Sequence, residues 1–514
     1  MLPHAIAAMP YLSAQLVGRE AREVDGGKLI VNDDPEPWWR PFVGPVCFTW
    51  DWEPAWDTSV VHAAGVEHVA ELASVELKIG DGADGLWTPG HALLLLPVLV
   101  GVLYGPALQR SVSVLGVFRA PNSSVVENPA HLVYIPDTTH CEDLHYYAPA
   151  NVLFSACADA AETRHVWFPP LTNFDDPIAG LEATGSIRVI GAGTHKAQRL
   201  TLEDFKGPLI PHGIDVVEDP DADKVPAVYI FVVNHVPAPA YVEWKRASAH
   251  GQTPEPTNKS ASRVDIFHHL LGASSARHVR SVQHPLIATP NDIFAVSPRE
   301  FYVTNDHHYR EGAMRIAEDV FSGATWSTTI HVLLEGAEVR ANVALTGLHN
   351  NNGLGHGNTS DQVLIGSAAS GTMHLATFGK REGTLEVLES INLDSAIDNP
   401  TYFRDPYATP ALDLSGYVNG GMSNGYKVVE SAKNPAGLDG SMVWITRPSV
   451  TEGDSAQGWG NKLLFQDDGS RIRAASVAVL VAIDPALEAG QRKAWLYVSG
   501  FVSKSILAIK IDIV

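Results

Sequence analysis

From about Glu142 onward the chain is a succession of apolar runs, four to eight residues long and rich in Val, Ile and Tyr, separated by turn clusters, with helical periodicity nearly absent. Residues 227–233, 292–296, 300–304, 362–365, 373–378, 476–482 and 493–498 are such runs. The stretch DIFAVSPREFYVTND reads as strand, tight turn, strand. Strand pairs that recur over so long a chain must bury a face of every sheet without leaving long open edges. An all-β architecture of small antiparallel sheets repeated radially, a β-propeller, meets that demand; a two-domain β-sandwich is the rival. With 514 residues, of which 45% are apolar, the chain can bury a sizeable core.

The N-terminal part differs in texture. Six of the twelve tryptophans, Trp38, Trp39, Trp50, Trp52, Trp56 and Trp87, fall in residues 1–90 among Pro, Asp and Gly, and no strand repeat shows there. We read 1–90 as an extension and 91–109 as a hydrophobic, anchor-like segment. Residues 92–108 carry no charge and approach the length of the shortest membrane-spanning helices, so the segment suggests membrane association. Pro97, Gly101, Gly105 and Pro106 favour the alternative, a packed core or surface segment. Sequons at Asn122, Asn258 and Asn358 matter only for a chain entering the secretory pathway, which is the expected location, with the cytoplasm as the alternative. The polar stretch 245–283, with Pro254 and Pro256, reads as a long surface excursion between strand groups.

A formal charge of -22 argues against nucleic acid as a partner and suits a soluble acidic protein or one that holds divalent cations. The three cysteines, Cys47, Cys141 and Cys157, leave none near the C-terminus, so no disulfide can join the two ends. The sparse, odd count reads as buried free thiols, with Cys141–Cys157 the pairing that stays open.

Five segments pack oxygen or imidazole donors against apolar residues: His140-Cys-Glu-Asp143, Pro211-His-Gly-Ile214, Val232-Val-Asn-His235, Pro290-Asn-Asp-Ile293 and Ile397-Asp-Asn399. Calcium takes six to eight oxygen ligands at about 2.3–2.6 Å. Glu142, Asn291, Asn352, Asp398 and Asn399 supply two carboxylates and three amide oxygens, which balance a divalent charge and leave the ion an effective Lewis acid. Consecutive residues of an extended strand point to opposite sides, so Asp143, Asp292 and the Ile214 carbonyl would form a second, structural site. Asn352 is the weakest member, because His349-Asn-Asn-Asn-Gly353 also reads as an ordinary Asn-Gly turn and three asparagines compete for the role. A strand, turn and strand would fold His235 back onto His212, giving a base near neutral pH and a partner that orients it or relays its proton. Asp306 and His307 read as support for that site. No Walker loop is present.

At these residues the chain resembles the paraoxonase/arylesterase family. PHGI, VVNH, PNDI, FYVTNDHHY and IDN stand in family order over about residues 130–514. The resemblance implies a six-bladed propeller and two calcium ions, one catalytic and one structural, with a small-molecule lactone or aryl ester as substrate. It matches Glu142, Asn291, Asn352, Asp398 and Asn399 to the catalytic ion, Asp143, Ile214 and Asp292 to the structural ion, and His212 with His235 to the base dyad. Three departures stand out. The family's disulfide between the propeller's ends is missing, so closure rests on strand pairing; the family's further active-site histidine is replaced by Gly416-Tyr-Val-Asn-Gly-Gly-Met422; and family members start with a hydrophobic anchor, which leaves 1–90 anomalous. An isomerase or cyclase using the same pocket, and a non-catalytic propeller with structural ions only, are the competing functional readings.

Overall fold

The computed structural model describes residues 105–120, 122, 132–247, 254–450 and 457–514. Among them the alternation of apolar runs and turns becomes antiparallel sheets laid down in chain order, in a propeller-like arrangement. The first sheet holds His145–Tyr147, Val152–Ala158, Gly185–Gly191 and Ala197–Arg199. The second holds Pro211–Glu218, Ala227–Asn234, Arg263–Leu270 and Ser275–Val282, with Thr201–Glu203 added in parallel at its edge. Pro290–Ser297, Glu300–Asn305, Ser327–Glu335 and Glu338–Leu348 make the third, and Asn351–His356, Gln362–Ser367, Thr372–Phe378 and Leu385–Asn392 the fourth.

Apart from the short antiparallel pair Trp167–Phe168 and Asn173–Phe174, the remaining strands form one eight-stranded sheet. It consists of two antiparallel runs, Ala396–Phe403 through Gln457–Asp467 and Ala475–Ala482 through Ile506–Asp512, which touch at a single parallel bridge between Asn399 and Val477. Its outer member is Leu132–Ile135, which pairs with Ile506–Asp512 in the register Leu132 to Ile509. The early strand thus closes onto the last one through main-chain hydrogen bonds, without a covalent link between the ends.

Successive sheets contact one another through their first strands: Pro211–Glu218 meets Pro290–Ser297, which meets Asn351–His356, which meets Ala396–Phe403, which meets Ala475–Ala482. Side chains between neighbouring sheets form the core. Phe231, Val264 and Ile266 of the second sheet pack with Ile293, Phe301 and Val332 of the third. Burying each such side chain contributes about 1.5–3 kcal/mol relative to leaving it exposed.

Two expectations are corrected. Residues 245–283 are not one surface excursion, since Arg263–Leu270 and Ser275–Val282 are full strands of the second sheet. Their polar residues misled because they are satisfied internally: buried Asp265 accepts from Asn234 Nδ2 at 2.7 Å and from Arg263 Nε at 3.0 Å. Nor are Cys141 and Cys157 free thiols. They face each other as an isolated antiparallel bridge and are joined by a disulfide.

Residues 1–90 and most of the anchor-like segment lie outside the described residues; its end runs into a helix over 105–114. No helix among the described residues is long and apolar enough to cross a membrane.

Candidate metal centre and active site

The residues singled out for oxygen chemistry all sit on or just before the first strands of the sheets, where those strands meet. Three of those strands lose register with their neighbour at the residues concerned: between Pro290 and Ile293, between Asn351 and Leu354, and between Ile397 and Pro400. Such a bulge releases consecutive residues from the ladder and re-aims their side chains. Asn291, Asp292, Asn352, Gly353, Asp398 and Asn399 are the residues released. The segment whose competing reading was an Asn-Gly turn is a strand, Asn351–His356, with its irregularity at Asn352 and Gly353. Glycine is required where these strands crowd together. A Cβ on Gly353 would lie 2.4 Å from Asn399 Oδ1, and one on Gly213 would lie 2.2 Å from Asp292 Oδ1.

Five buried side-chain oxygens here accept no hydrogen bond from the protein: Glu142 Oε2, Asn291 Oδ1, Asn352 Oδ1, Asp398 Oδ1 and Asn399 Oδ1. Leaving a buried acceptor without a partner costs about 1–3 kcal/mol, so the five form a set that a cation or ordered water could satisfy. The amide nitrogens show how the oxygens are aimed. Asn399 Nδ2 donates to Glu142 Oε1 at 2.9 Å, and Asn291 Nδ2 reaches toward Asp306 Oδ2 at 3.5 Å, so each leaves its oxygen free. Of the competing asparagines, Asn350 has its Oδ1 engaged by the Ala369 amide at 3.0 Å, whereas Asn351 donates from Nδ2 to Thr329 Oγ1 at 2.6 Å and its buried Oδ1, like that of Asn352, has no partner.

The charge at this place is strongly unbalanced. Glu142, Asp143, Asp292 and Asp398 are all buried. Burial and the repulsion of Asp398 and Asp143 push Glu142 well above the carboxylate range. Burial, Asp143 and Glu142 do the same to Asp292, and burial, Asp143 and Asp306 to Asp398. Asp143 rises to about 6, mainly by burial, because amide donation from Ile214 and Leu144 offsets part of the cost. Carboxylate and amide oxygens in such number are the donor type that hard divalent cations take. Besides burial, Asp143 raises Asp292 through charge repulsion, and the two make a second group. Asp143 Oδ2 accepts from the Ile214 amide at 3.1 Å, and Asp292 Oδ2 from the Leu354 amide at 2.7 Å. Each carboxylate oxygen keeps a further lone pair for an ion.

His212 lies beside the first group. Its Nδ1 is 3.1 Å from His235 Nε2, and His235 Nδ1 is 2.9 Å from Ser262 Oγ. Phe168 meets both rings edge-on, at centroid distances of 5.1 and 5.7 Å. Burial and the Arg164 guanidinium lower His212 to about 3, while burial and His212 hold His235 well below the usual imidazole value, so both rings are neutral at pH 7. His212, Asn291, Asn352 and Asp398 line a cavity of about 670 Å³ whose other walls are mostly apolar, among them Phe168, Ile316, Val320 and Met422. His235 is not part of that lining; it stands behind His212.

Residues 256–482 match the family model described as Arylesterase. Serum paraoxonase/arylesterase 2 of Gallus gallus is 25% identical over 53% of this chain and 64% of its own length. Serum paraoxonase/arylesterase 1 is 28% identical over 37% of this chain and 44% of its own length in both Mus musculus and Homo sapiens. The chain is similar to the paraoxonase/arylesterase family over these residues. The match spans less than two thirds of the length of these family members.

Several residues at this family-like site carry no signal in the sequence. Arg164, in the short helix Ala161–Val166, is fully buried and donates from Nη2 to the carbonyls of His140 and Pro211, both at 3.0 Å. Arg315 and Asp319, on the helix Ala313–Val320, line the cavity, and Asp319 Oδ1 is 2.6 Å from His307 Nε2. His307 Nδ1 is in turn 3.2 Å from Asp306 Oδ2. Burial opposes ionisation of Asp306, yet His307 and Arg315 outweigh it and keep the group a carboxylate. A lone arginine in a short polar segment offers no pattern from which such a role could be read.

Proposed function

We propose that this chain is a calcium-dependent carboxylic ester hydrolase acting on lactones or aryl esters, built as a six-bladed propeller that holds two calcium ions. The blade count takes the two antiparallel runs of the eight-stranded sheet as separate blades joined at Asn399 and Val477. The observation that carries the reading is the set of five partnerless oxygens on Glu142, Asn291, Asn352, Asp398 and Asn399, next to a pair of histidines. Asp143, Asp292 and the Ile214 carbonyl are the residues for the structural ion.

When bound at the first set, calcium would polarise a carbonyl oxygen and favour charge on it. His212 takes the proton from an attacking water, and its Nδ1 contact with His235 Nε2 fixes the tautomer that leaves it able to do so. Asp306 faces the dyad and favours the imidazolium that forms. Phe168 and the apolar wall keep bulk water away and accept the hydrocarbon part of the substrate. The cavity volume suits a small ester or lactone rather than a polymer.

The test is a lactone and aryl-ester panel assayed before and after complete removal of calcium by a chelator. Activity lost on chelation and restored by calcium supports the proposal. Hydrolysis that survives full removal of the ion overturns it.

A further inference from the structure

We propose a third metal site, of a different chemistry, formed by His145, Asp215 and His356. His145 Nδ1 lies 2.6 Å from Asp215 Oδ1 and His356 Nε2 lies 2.8 Å from Asp215 Oδ2, and the three donor atoms are all within 4.8 Å of one another. Two imidazoles and one carboxylate form a donor set for a borderline transition metal such as Zn²⁺ rather than for calcium, which favours oxygen alone.

The three residues come from the first strands of three separate sheets, His145–Tyr147, Pro211–Glu218 and Asn351–His356. Each stands three or four positions after a residue of the site described above: Glu142, His212 and Asn352. At about 3.3 Å per residue, the triad is displaced by roughly 10 Å along the strands from the substrate cavity. It borders a separate small cavity of about 110 Å³. An ion here would tie three sheets together near the structural calcium residues Asp143 and Ile214, which border the same cavity.

The donors are held in place by other groups, as ligands of a built site are. Asp215 Oδ2 also accepts the Ala295 amide at 2.7 Å. The His356 ring lies against Phe294 with centroids 4.2 Å apart, and it meets the His145 ring edge-on at 5.8 Å. The Asp215 side chain is 4% exposed and that of His356 is 41% exposed, which leaves a route of entry from solvent. Zn–N and Zn–O bonds of about 2.0–2.2 Å require donors slightly farther apart than these hydrogen bonds, an adjustment that imidazole rotation supplies. With one carboxylate and two neutral imidazoles, the ion would keep positive charge and a position for water.

The experiment is equilibrium dialysis of the intact protein against Zn²⁺ in excess calcium, with His356→Gln and His145→Gln proteins alongside. One tightly bound Zn²⁺ per chain, weakened roughly 100-fold in each variant while calcium binding persists, supports the site. Absence of tight binding in the unaltered protein, or binding unchanged in both variants, overturns it. Should a variant fail to fold, Co²⁺ added to the unaltered protein decides: visible d–d bands of a nitrogen-oxygen site that Zn²⁺ displaces support it, and a featureless spectrum overturns it.

Discussion

Asn399 donates its side-chain amide to Glu142 Oε1 at 2.9 Å across 257 residues of sequence. The other oxygens of the bonded pair, Asn399 Oδ1 and Glu142 Oε2, have no protein partner. The bond joins the entry to the first sheet to the start of the eight-stranded one, so the orientation of the oxygens depends on closure of the whole arrangement. An Asn399→Leu substitution removes the donor and the ligand oxygen together. We expect calcium affinity, read by isothermal titration, to fall roughly 10–100-fold, which is about 1.4–2.7 kcal/mol. Unchanged affinity would remove Asn399 from the ligand set.

Proton competition gives a second expectation. Glu142, Asp292 and Asp398 are raised well above the carboxylate range by burial and mutual repulsion, and Asp143 is raised to about 6. A carboxyl whose folded value is raised holds its proton in the ion-free folded protein at pH values where the unfolded chain has lost it. It therefore removes stability as pH rises from the ordinary carboxylate value through the folded one. Calcium needs the deprotonated form, so the gain in melting temperature on adding calcium shrinks as pH falls from 8 to 5. Comparing loaded and chelated protein at each pH cancels the contribution of the buried histidines. A gain independent of pH would show that these carboxylates do not hold the ion.

The legibility of this protein follows from how local each feature is. Strand runs such as 227–233 and 493–498 could be read from sequence because apolar, β-branched residues and turn clusters act within a few positions, and they appear as Ala227–Asn234 and Lys493–Gly500. Arg263–Leu270 escaped detection because Asp265, Arg263 and Asn234 satisfy one another inside the sheet, and a polar residue in a strand looks like a loop until its partner is known. The Cys141–Cys157 disulfide depends on two short segments meeting as a bridge, which spacing alone does not reveal. Asp-Asn and Asn-Asp pairs drew attention by chemistry. Arg164, Arg315 and the triad of His145, Asp215 and His356 are single residues whose relations exist only after three-dimensional folding.

On the proposed mechanism, the dyad sets the pH profile. Burial and neighbouring positive charge hold His212 at about 3, and burial with His212 lowers His235 further than an ordinary imidazole. A lowered histidine stays neutral as pH falls past 6.5, so the base form persists. At saturating calcium, kcat/KM should remain level between pH 8 and 6 instead of declining with a midpoint near 6.5. His212→Gln should reduce kcat by about 100–10,000-fold, the span usual for a general base. His235→Gln should cost less, because that ring lies behind the cavity lining. Full turnover by the His212 variant would remove the base assignment and leave the ion sites standing.

The close approach of strands at the site yields the last expectation. A Cβ on Gly353 would lie 2.4 Å from Asn399 Oδ1, 2.5 Å from Asn399 Cα and 2.6 Å from the Asp398 carbonyl oxygen. Two of these atoms are backbone of the adjoining strand, so rotation of one side chain cannot relieve the overlap. Gly353→Ala should therefore separate Asn351–His356 from Ala396–Phe403, destabilise the fold by roughly 1–3 kcal/mol, and weaken calcium binding by displacing Asn352, Asp398 and Asn399 together. Gly458→Ala is the control, since its added Cβ meets nothing nearer than the Ser449 carbonyl oxygen at 3.9 Å. Thermal unfolding in calcium and in chelator checks both. A Gly353 variant as stable as the control, with calcium affinity intact, would show that these strands have room to spare and that the oxygens are not held by their proximity.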